Sequence, residues 1–216
     1  MRTPFPPVYA IVDGECLAQR GLGLTVATEA LLDGGVRLLQ LRWKGSWTRD
    51  VLVEGRRIAA LCREAGAQFV VNDRADIALL LDAGIHVGQD DLAMEGVRRV
   101  VGAAAFAGVS THHEGQFRQA LNAAADYVAL GPIYGTISKD RPDPVVGIQE
   151  LARLRALTAK PLVAIGGITR DRAPEVWRAG ADSVAIISDL YPEPATPVSV
   201  RQRAEEWMRL AHEQRQ

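Results

Sequence analysis

Short runs of apolar residues recur along the chain and are separated by longer segments with helical periodicity. Eight such runs, most of them rich in Val, Ile and Leu, lie at Val8–Val12, Val36–Leu41, Phe69–Val71, Ile85–Val87, Ala105–Val109, Tyr127–Leu130, Pro161–Ile165 and Ser183–Ile187. Because the runs are apolar nearly throughout, they are typical of parallel strands that are buried on both faces. The pattern therefore restricts the chain to a parallel sheet with helices between successive strands.

The segments between these runs include clear amphipathic helices. They are predicted at Thr48–Ala65, Gln116–Ala125, Ile148–Thr158, Arg172–Ala179 and Val198–Glu213. Eight strand–helix units in 216 residues predict an α/β protein with a (β/α)₈ (TIM) barrel, and no linker or composition break divides residues 1–216 into more than one domain. An open, doubly wound sheet is the alternative topology.

The composition excludes several classes of protein. The 25 Lys and Arg residues nearly balance the 26 Asp and Glu residues, which argues against a general electrostatic attraction to nucleic acid or to an acidic membrane. No apolar run approaches the roughly 20 residues of a membrane span, and the N-terminal residues lack the apolar core of a secretion signal. Cys16 and Cys62 match no metal-ligand or redox spacing. We expect a cytoplasmic protein that acts on small molecules.

Polar residues lie where the predicted strands end, which in a barrel is the mouth of the active site. Gln40, Arg42 and Lys44 alternate along one extended segment, so their side chains point the same way. Two cations and an amide suit a phosphate or diphosphate. The alternative is a strand end that carries two solvated cations.

The next two strands are followed by carboxylates. Asn72 and Asp73 follow the third strand, and Asp90 and Asp91 follow the fourth. Oxygen ligands of this kind suit Mg²⁺, which often bridges to substrate phosphates. A surface ion pair between Asp73 and Arg74, and a helix cap at Asp90 or Asp91, are the alternatives. With the cations one strand away, these residues predict a metal–diphosphate site.

A second group of residues predicts another anion site at the same rim. Gly166 and Gly167 follow the seventh strand and Ser188 follows the eighth, and the loops after these strands commonly bind phosphate through backbone N–H groups. The loop Gly131–Asp140 is long enough to close over a ligand as a lid. His112 follows the fifth strand and is a candidate general base or a structural histidine. A tight glycine turn and an ordinary connecting loop are the alternatives.

Several motifs in order resemble the thiamine phosphate synthase family and the related thiazole tautomerase family, from about Val8 to Leu190. They are Gln40-x-Arg42-x-Lys44, Val71-Asn72-Asp73, His86-Val87-Gly88-Gln89-Asp90-Asp91, Gly108-Val109-Ser110-Thr111-His112, Asp126-Tyr127-Val128, Gly131-Pro132-Ile133-Tyr134, Lys139, Ala164-Ile165-Gly166-Gly167-Ile168 and Ala179-Gly180-Ala181-Asp182. The resemblance implies a (β/α)₈ transferase with Mg²⁺ as cofactor and a homodimer as the usual assembly. Its reaction would join hydroxymethylpyrimidine diphosphate to a thiazole phosphate or its carboxylated form, giving thiamine monophosphate and diphosphate, and the carboxylated form would also lose CO₂.

The resemblance also implies a role for each matching residue. The pyrimidine diphosphate would be bound by Gln40, Leu41, Arg42, Trp43, Lys44, Asn72, Ser110 and Lys139. The thiazole phosphate would be bound by Thr136, Ile137, Ser138, Gly167, Ile187 and Ser188. Mg²⁺ would be held by Asp73 and Asp91, and the catalytic residues would be Arg42, Lys44, Ser110 and Lys139.

Three positions depart from the pattern of the family. Trp43 stands where an acidic residue is most frequent, Gly135 where proline is usual, and Ser138 where threonine is common. Two other functions stay open: a thiazole tautomerase that transfers a proton through His112, and a phosphate-ligand sensor without catalysis. The tautomerase needs no diphosphate or metal site, so the retained cations and carboxylates favour the synthase.

Overall fold

The computed structural model describes residues 5–135 and 143–214 and contains a closed barrel of eight parallel strands. The strands are β1 (Val8–Asp13), β2 (Leu38–Arg42), β3 (Gln68–Asn72), β4 (Gly84–Val87), β5 (Ala107–Thr111), β6 (Tyr127–Leu130), β7 (Leu162–Ile165) and β8 (Ser183–Ile186). They pair in sequence order, and β8 closes on β1 through the register of Val8 with Val184. The predicted (β/α)₈ barrel is therefore confirmed, and the open sheet, which would leave two unpaired edges, is wrong.

Helices surround the barrel. They are α1 (Gly14–Gln19), α2 (Leu24–Asp33), α3 (Arg49–Glu64), α4 (Ala75–Leu80), α5 (Met94–Val101), α6 (Glu114–Asn122), α7 (Ile148–Arg155), α8 (Ala173–Arg178) and α9 (Pro197–Glu213), with a 3₁₀ turn at Ser188–Leu190. The five helices for which the sequence predicts bounds (α3, α6, α7, α8 and α9) lie close to those bounds. In the described part of the chain, none of these helices is both long and apolar enough to cross a membrane.

Alternate residues of each strand belong to two different cores. One face of each strand packs against the surrounding helices, as Val12 and Leu41 do. The other face fills the barrel interior, where a separate apolar cluster consists of Tyr9, Ile11, Leu38, Val70, Tyr127, Ala129, Val163 and Ala185. This two-residue period explains why the strands are apolar throughout, and it decides which residues can reach the barrel mouth.

Helix α9 covers the side of the barrel where the last strand meets the first. It starts with a capping box in which Thr196 and Ser199 satisfy each other's backbone N–H groups, and Pro197 occupies the first turn. It packs closely against α2, since a Cβ on Gly34 would lie 2.4 Å from the Cβ of Ala204. Trp207, in the middle of α9, is fully buried.

Candidate active site

A cavity of about 350 Å³ opens at the carboxyl ends of the strands. Its floor is apolar and is lined by Ile11, Ala129, Val163, Ile165 and Ala185. Its wall carries polar side chains, among them Gln40, Arg42, Asn72, His86 and His112. A mostly apolar cavity with a few converging polar groups is suited to a small ring-containing ligand with charged substituents.

The cationic side of the cavity is built on β2. Gln40 and Arg42 share the inward face of this strand, and both line the cavity. The Arg42 guanidinium forms an ion pair with the buried carboxylate of Asp13, the last residue of β1. The other Asp13 oxygen accepts the backbone N–H of Cys16 at 2.8 Å and so caps α1. The arginine is thus held in place by a residue that the sequence analysis missed.

Two carboxylates meet at the rim beside this cationic side. Lys44 Nζ forms an ion pair with Asp73, whose backbone lies in the left-handed region at a φ of 63°. Asp91 accepts the backbone N–H of Gly88 at 2.7 Å. Burial raises the pKa of the Asp91 carboxyl, and its hydrogen bond with Asp73 raises it further. Two contacting carboxyl groups hold a shared proton or attract a cation, and their hard oxygen donors fit Mg²⁺.

Asn72 and Ser110 present polar groups between the carboxylates and the cavity floor. The Asn72 Nδ2 atom is buried and has no hydrogen-bond partner in the described part of the chain, although the residue lines the cavity. A buried amide group without a partner is rare, so this N–H group indicates a ligand acceptor at this position. Ser110 Oγ lies 2.8 Å from His86 Nε2.

A glycine turn forms the opposite wall. Gly166 and Gly167 adopt φ values of 101° and 61°, which side chains with a Cβ rarely adopt. The turn is also tightly packed: a Cβ on Gly166 would lie 2.5 Å from the Cβ of Pro132. Gly167, Ile187 and Ser188 line this wall together. Gln40 and Arg42 therefore line one part of the cavity wall, and Gly167, Ile187 and Ser188 line another.

Comparison with known proteins gives the family. The thiamine monophosphate synthase (TMP-TENI) family model matches residues 8–190. The chain belongs to the thiamine monophosphate synthase family. The predicted resemblance is thereby confirmed, as is the prediction of an enzyme of the thiamine phosphate synthase class.

Individual relatives agree with this membership. The chain is 47% identical over 211 residues to the thiamine-phosphate synthase of Koribacter versatilis, covering 96% of each chain. It is 40% identical to the thiamine-phosphate synthase of a Roseiflexus species, covering 92% of this chain and 85% of the relative. Among solved structures, the thiamine phosphate pyrophosphorylase of Pyrococcus furiosus superimposes with a TM-score of 0.83 at 30% identity, covering 96% of each chain.

Some residues that the synthase family pattern assigns to the site lie outside the cavity lining, among them Lys44, Asp73, Asp91 and Ser110, which are found at or beyond the ends of the strands. The Leu41 side chain packs outward against the helices, so only its backbone faces the mouth. The half-buried Trp43 ring lies against Gly14, where a Cβ would come within 2.4 Å of the ring. Four further predicted site residues lie outside the described residues: Thr136, Ile137, Ser138 and Lys139.

The structure adds an arginine to the residues predicted for this family member. Arg172, directly before α8, lines the cavity and donates to the Gly167 carbonyl at 2.8 Å. Its guanidinium also lies 4.7 Å from the centre of the Tyr134 ring. Its position shortly after the glycine turn was the available sequence signal. Sequence reasoning treated this residue only as the start of a helix.

His112 occupies the cavity wall on the same side. Its Nδ1 atom lies 2.6 Å from the Gly131 carbonyl oxygen and 3.5 Å from an Asp143 carboxylate oxygen. The ring is only slightly exposed, and it faces the substrate cavity rather than the helix core. Both sequence-based interpretations of this residue, general base and structural histidine, are compatible with that position.

Proposed function

We propose that the chain condenses 4-amino-2-methyl-5-hydroxymethylpyrimidine diphosphate with (carboxy)thiazole phosphate to give thiamine monophosphate and diphosphate, with release of CO₂ when the thiazole is carboxylated. The observation that carries this proposal is the distribution of groups around one cavity: Gln40 and Arg42 on its wall with Lys44 and the paired carboxylates at the rim beside them, and a glycine turn elsewhere on the wall. The curated relatives at 40% and 47% identity carry the name of this activity. Two anionic substrates with adjoining rings match the arrangement.

The cations would act on the leaving diphosphate. The carbon–oxygen bond at the pyrimidine methylene breaks, and its electron pair leaves with the diphosphate. The lone pair of the thiazole nitrogen then forms the new carbon–nitrogen bond. Negative charge grows on the diphosphate during departure, so Arg42 and Lys44 stabilise the transition state more than the ground state. Ser110 would orient the pyrimidine, and Lys139, predicted from the sequence, would add a further cation.

Asp73 and Asp91 would hold Mg²⁺ in this reaction. When bound, the ion supplies positive charge to the diphosphate oxygens. In the described residues, no three His, Cys, Asp or Glu side chains are grouped as a metal site, so the protein would contribute two carboxylates at this point. Two protein ligands are consistent with Mg²⁺, which usually keeps several waters and binds substrate phosphates directly.

The glycine turn would bind the thiazole phosphate. Gly167 and Ser188 were assigned to this substrate, together with Ile187 and the segment 136–138, by the family pattern. To these we add Arg172, because its guanidinium lies on the same wall and keeps further N–H donors beyond the one that Gly167 accepts. An arginine on the wall suits a phosphate or a carboxylate.

The deciding experiment incubates purified protein with Mg²⁺ and both substrates and measures thiamine monophosphate and diphosphate. Equal amounts of the two products are expected. Conversion of the thiazole without consumption of the pyrimidine diphosphate would identify a tautomerase instead. Binding of either phosphate without turnover would identify a sensor. The tautomerase outcome has one structural basis, namely the position of His112 on the cavity wall.

Asp73→Ala should lower turnover well over tenfold while the protein stays folded, because one of the two metal carboxylates is lost. Lys139→Ala should have a similar effect. The matched control is Asp33→Ala, which removes an exposed carboxylate at the end of α2, next to the Gly34 contact with α9. Circular dichroism checks folding, and near-normal activity in both test variants would contradict the proposed roles.

A further inference from the structure

Five polar side chains form a continuous hydrogen-bonded row across the barrel interior. Gln40 Nε2 lies 2.8 Å from Tyr9 Oη, which lies 2.8 Å from Tyr127 Oη. Tyr127 Oη lies 2.8 Å from His86 Nδ1, and His86 Nε2 lies 2.8 Å from Ser110 Oγ. The row thus begins and ends on two residues of the predicted pyrimidine site. Its three central residues are buried and were assigned no catalytic or binding role.

The central ring of this row is held by packing on several sides. Tyr127 is stacked between His86 and Phe106, with ring centres 5.5 Å and 5.1 Å apart. The edge of the Tyr9 ring meets it at 75°. Gly108 makes room for it, because a Cβ there would come within 2.0 Å of the Tyr127 ring. The hydrogen-bond geometry of the row is therefore fixed by the barrel itself.

A direction for the row follows if it is read from the Gln40 end. Gln40 Nε2 donates to Tyr9 Oη, and each tyrosine hydroxyl can then donate to the next acceptor, Tyr9 to Tyr127 Oη and Tyr127 to His86 Nδ1. Burial raises the pKa of both tyrosine hydroxyls well above the ordinary value, so each keeps its single proton. In this arrangement a neutral His86 carries its proton on Nε2 and donates to Ser110 Oγ.

We propose that this row is a one-way chain of hydrogen-bond donors. In it, Tyr9, Tyr127 and His86 position Ser110 so that its hydroxyl group donates a hydrogen bond to a ring nitrogen of the pyrimidine substrate. The identity of that acceptor rests on the proposed function, whereas the direction of the chain does not. Ser110 lies on β5, away from the cations of β2, and His86 and Tyr9 line the apolar cavity with Ala129 and Val163. An uncharged ring acceptor fits this region better than a phosphate oxygen does.

The direction of this hydrogen-bonded row also assigns a protonation state and a tautomer to His86. It is a neutral Nε2–H donor, so it does not serve as the base that removes a proton from Ser110. Tyr9, Tyr127 and His86 are therefore positioning residues that act on the substrate through Ser110 and Gln40. A fixed donor at the end of a rigid row lowers the reorganisation needed when the substrate binds.

The first test is the tautomer of His86, measured by long-range ¹H–¹⁵N NMR on labelled protein near pH 7.5. The chain contains 4 His residues, and the spectrum of His86→Gln identifies the signals of this one. If that variant does not fold, Gln variants of the other histidines make the assignment by elimination. A protonated Nε2 and an unprotonated Nδ1 are expected. The Nδ1–H tautomer or a doubly protonated ring would overturn the proposal.

The second test removes one hydroxyl from the row. Tyr127→Phe should raise KM for the pyrimidine diphosphate about tenfold, since one oriented hydrogen bond is lost, and should abolish the Nε2–H preference of His86. Inhibition by inorganic diphosphate should not change, because that ion does not contain the ring. The matched control is Tyr191→Phe, which loses a buried hydroxyl bonded to the Ile11 carbonyl outside the row.

The outcomes separate this inference from the proposed function. Weaker inhibition by inorganic diphosphate in Tyr127→Phe would move the acceptor to the phosphates and overturn the ring assignment. Equal kinetic effects of Tyr127→Phe and Tyr191→Phe would overturn the positioning role. If Tyr127→Phe does not fold, Tyr9→Phe tests the preceding link. A wild-type protein that forms no thiamine monophosphate would refute the proposed function, while the tautomer measurement would still test the direction of the chain.

Discussion

Single residues set the shape of the glycine turn after β7. Gly166 combines a φ of 101° with a contact that leaves no space for a Cβ beside Pro132. The turn also accepts the Tyr134 N–H at its Gly166 carbonyl, at 3.0 Å, so the loops after β6 and β7 are joined there. Any side chain at this position would separate two parts of the cavity wall.

Gly166→Ala should destabilise the protein by about 3 kcal/mol, of which about 1 kcal/mol reflects the left-handed backbone and the rest the overlap with Pro132. Denaturant unfolding measures the change. Gly66→Ala is the matched control, because Gly66 also has a positive φ, of 63°, but has open space around its Cβ position. Equal losses in the two variants would show that close packing at Gly166 contributes nothing.

The environment of Asp91 predicts how the stability of the folded protein depends on pH. Its raised pKa means that the folded protein binds a proton more tightly than the unfolded chain, so this carboxyl lowers stability as pH rises above its ordinary value of 3.8. Asp91→Asn should therefore melt at a higher temperature than the wild type at pH 7 without metal. The difference should disappear as the pH falls toward about 4, where the unfolded carboxyl is also protonated.

Mg²⁺ should reverse the order of the two melting temperatures, so that the wild type melts above Asp91→Asn. Added at about ten times its dissociation constant, it should raise the wild-type Tm by roughly 3 to 6 °C, and it should raise that of Asp91→Asn much less. The same titration repeated at lower pH should give weaker metal binding, since protons compete for the carboxylates. An equal Mg²⁺ response in wild type and variant would contradict the metal assignment.

At the scale of the elements, Asp13 joins β1, α1 and β2. One of its oxygens caps α1 and the other pairs with Arg42 at the end of β2. The first helix of the barrel and Arg42, the arginine proposed to bind substrate, therefore depend on the same buried carboxylate. This linkage explains why a strand that is otherwise apolar ends in a charged residue.

Asp13→Asn should keep the helix cap, whereas Asp13→Ala should lose it and be about 1 kcal/mol less stable than the Asn variant. Both variants should lose kcat/KM by tenfold or more, because each leaves Arg42 without its charged partner. Thermal melts and steady-state kinetics measure the two effects separately. Equal stability of the variants would show that the cap contributes little.

The strands could be predicted from the sequence because they are buried on both faces and so leave an unbroken apolar signal. The end of β5 could not be predicted in this way. The apolar run predicts a strand over Ala105–Val109, whereas the strand includes Ser110 and Thr111. These polar residues pair with β6, and their backbone bonds are invisible to a hydrophobicity pattern. The short α1 was missed for a related reason, since Asp13, its cap, sits at the end of an apolar run.

Much of the candidate site could also be predicted, because the ends of parallel strands meet at one rim. The residues that were missed contact the predicted ones from other strands or loops. Asp13 and Tyr9 carry no local motif, and only strand pairing in the barrel brings them beside Arg42 and Gln40. Arg172 is close to Gly167 in sequence, but nothing in the sequence shows that its side chain turns back to the glycine carbonyl. Spacing along one strand predicts the direction of a side chain, but the spacing does not show which residue of another strand this side chain contacts.

At the scale of the whole molecule, α9 is fastened to the end of β8 by a group of charges. Asp189 accepts from Trp207 Nε1 at 3.0 Å and from Arg170 Nε at 3.2 Å, while Arg203 donates to the Asp189 carbonyl at 2.7 Å. Burial raises the pKa of the Asp189 carboxyl, and the two arginines oppose that shift. Ser188, on the cavity wall, directly precedes this anchored residue.

Asp189→Ala should lower the Tm by about 4 to 8 °C, because it leaves the buried Trp207 Nε1 without its acceptor and removes one of the two carboxylates that pair with Arg170 and Arg203, a loss of about 2 kcal/mol. It should also raise KM for the thiazole phosphate, since the position of Ser188 is no longer fixed. Glu205→Ala, which removes an exposed partner of Arg201 on the same helix, is the control. A Tm within 1 °C of this control would contradict the anchoring role.

The overall charge of −1 conceals this local organisation. Arg42 pairs with Asp13 and Lys44 pairs with Asp73 at the carboxyl ends of the strands, so opposite charges are grouped at one rim. The metal–diphosphate site there stays a prediction. The membership of the family and the barrel predicted from the sequence are confirmed at this scale. The homodimer and the cytoplasmic location stay predictions, as do the residues of the segment 136–139.

The two separate cores of the barrel have a consequence for engineering. Each strand carries cavity-facing and helix-facing residues in alternation, and the two sets do not share side chains. Libraries restricted to Ile11, Ala129, Val163 and Ala185 would thus reshape the space available to a ring while leaving the helix packing intact. New substrate analogues could be accommodated by such changes without a parallel search for compensating stabilising mutations.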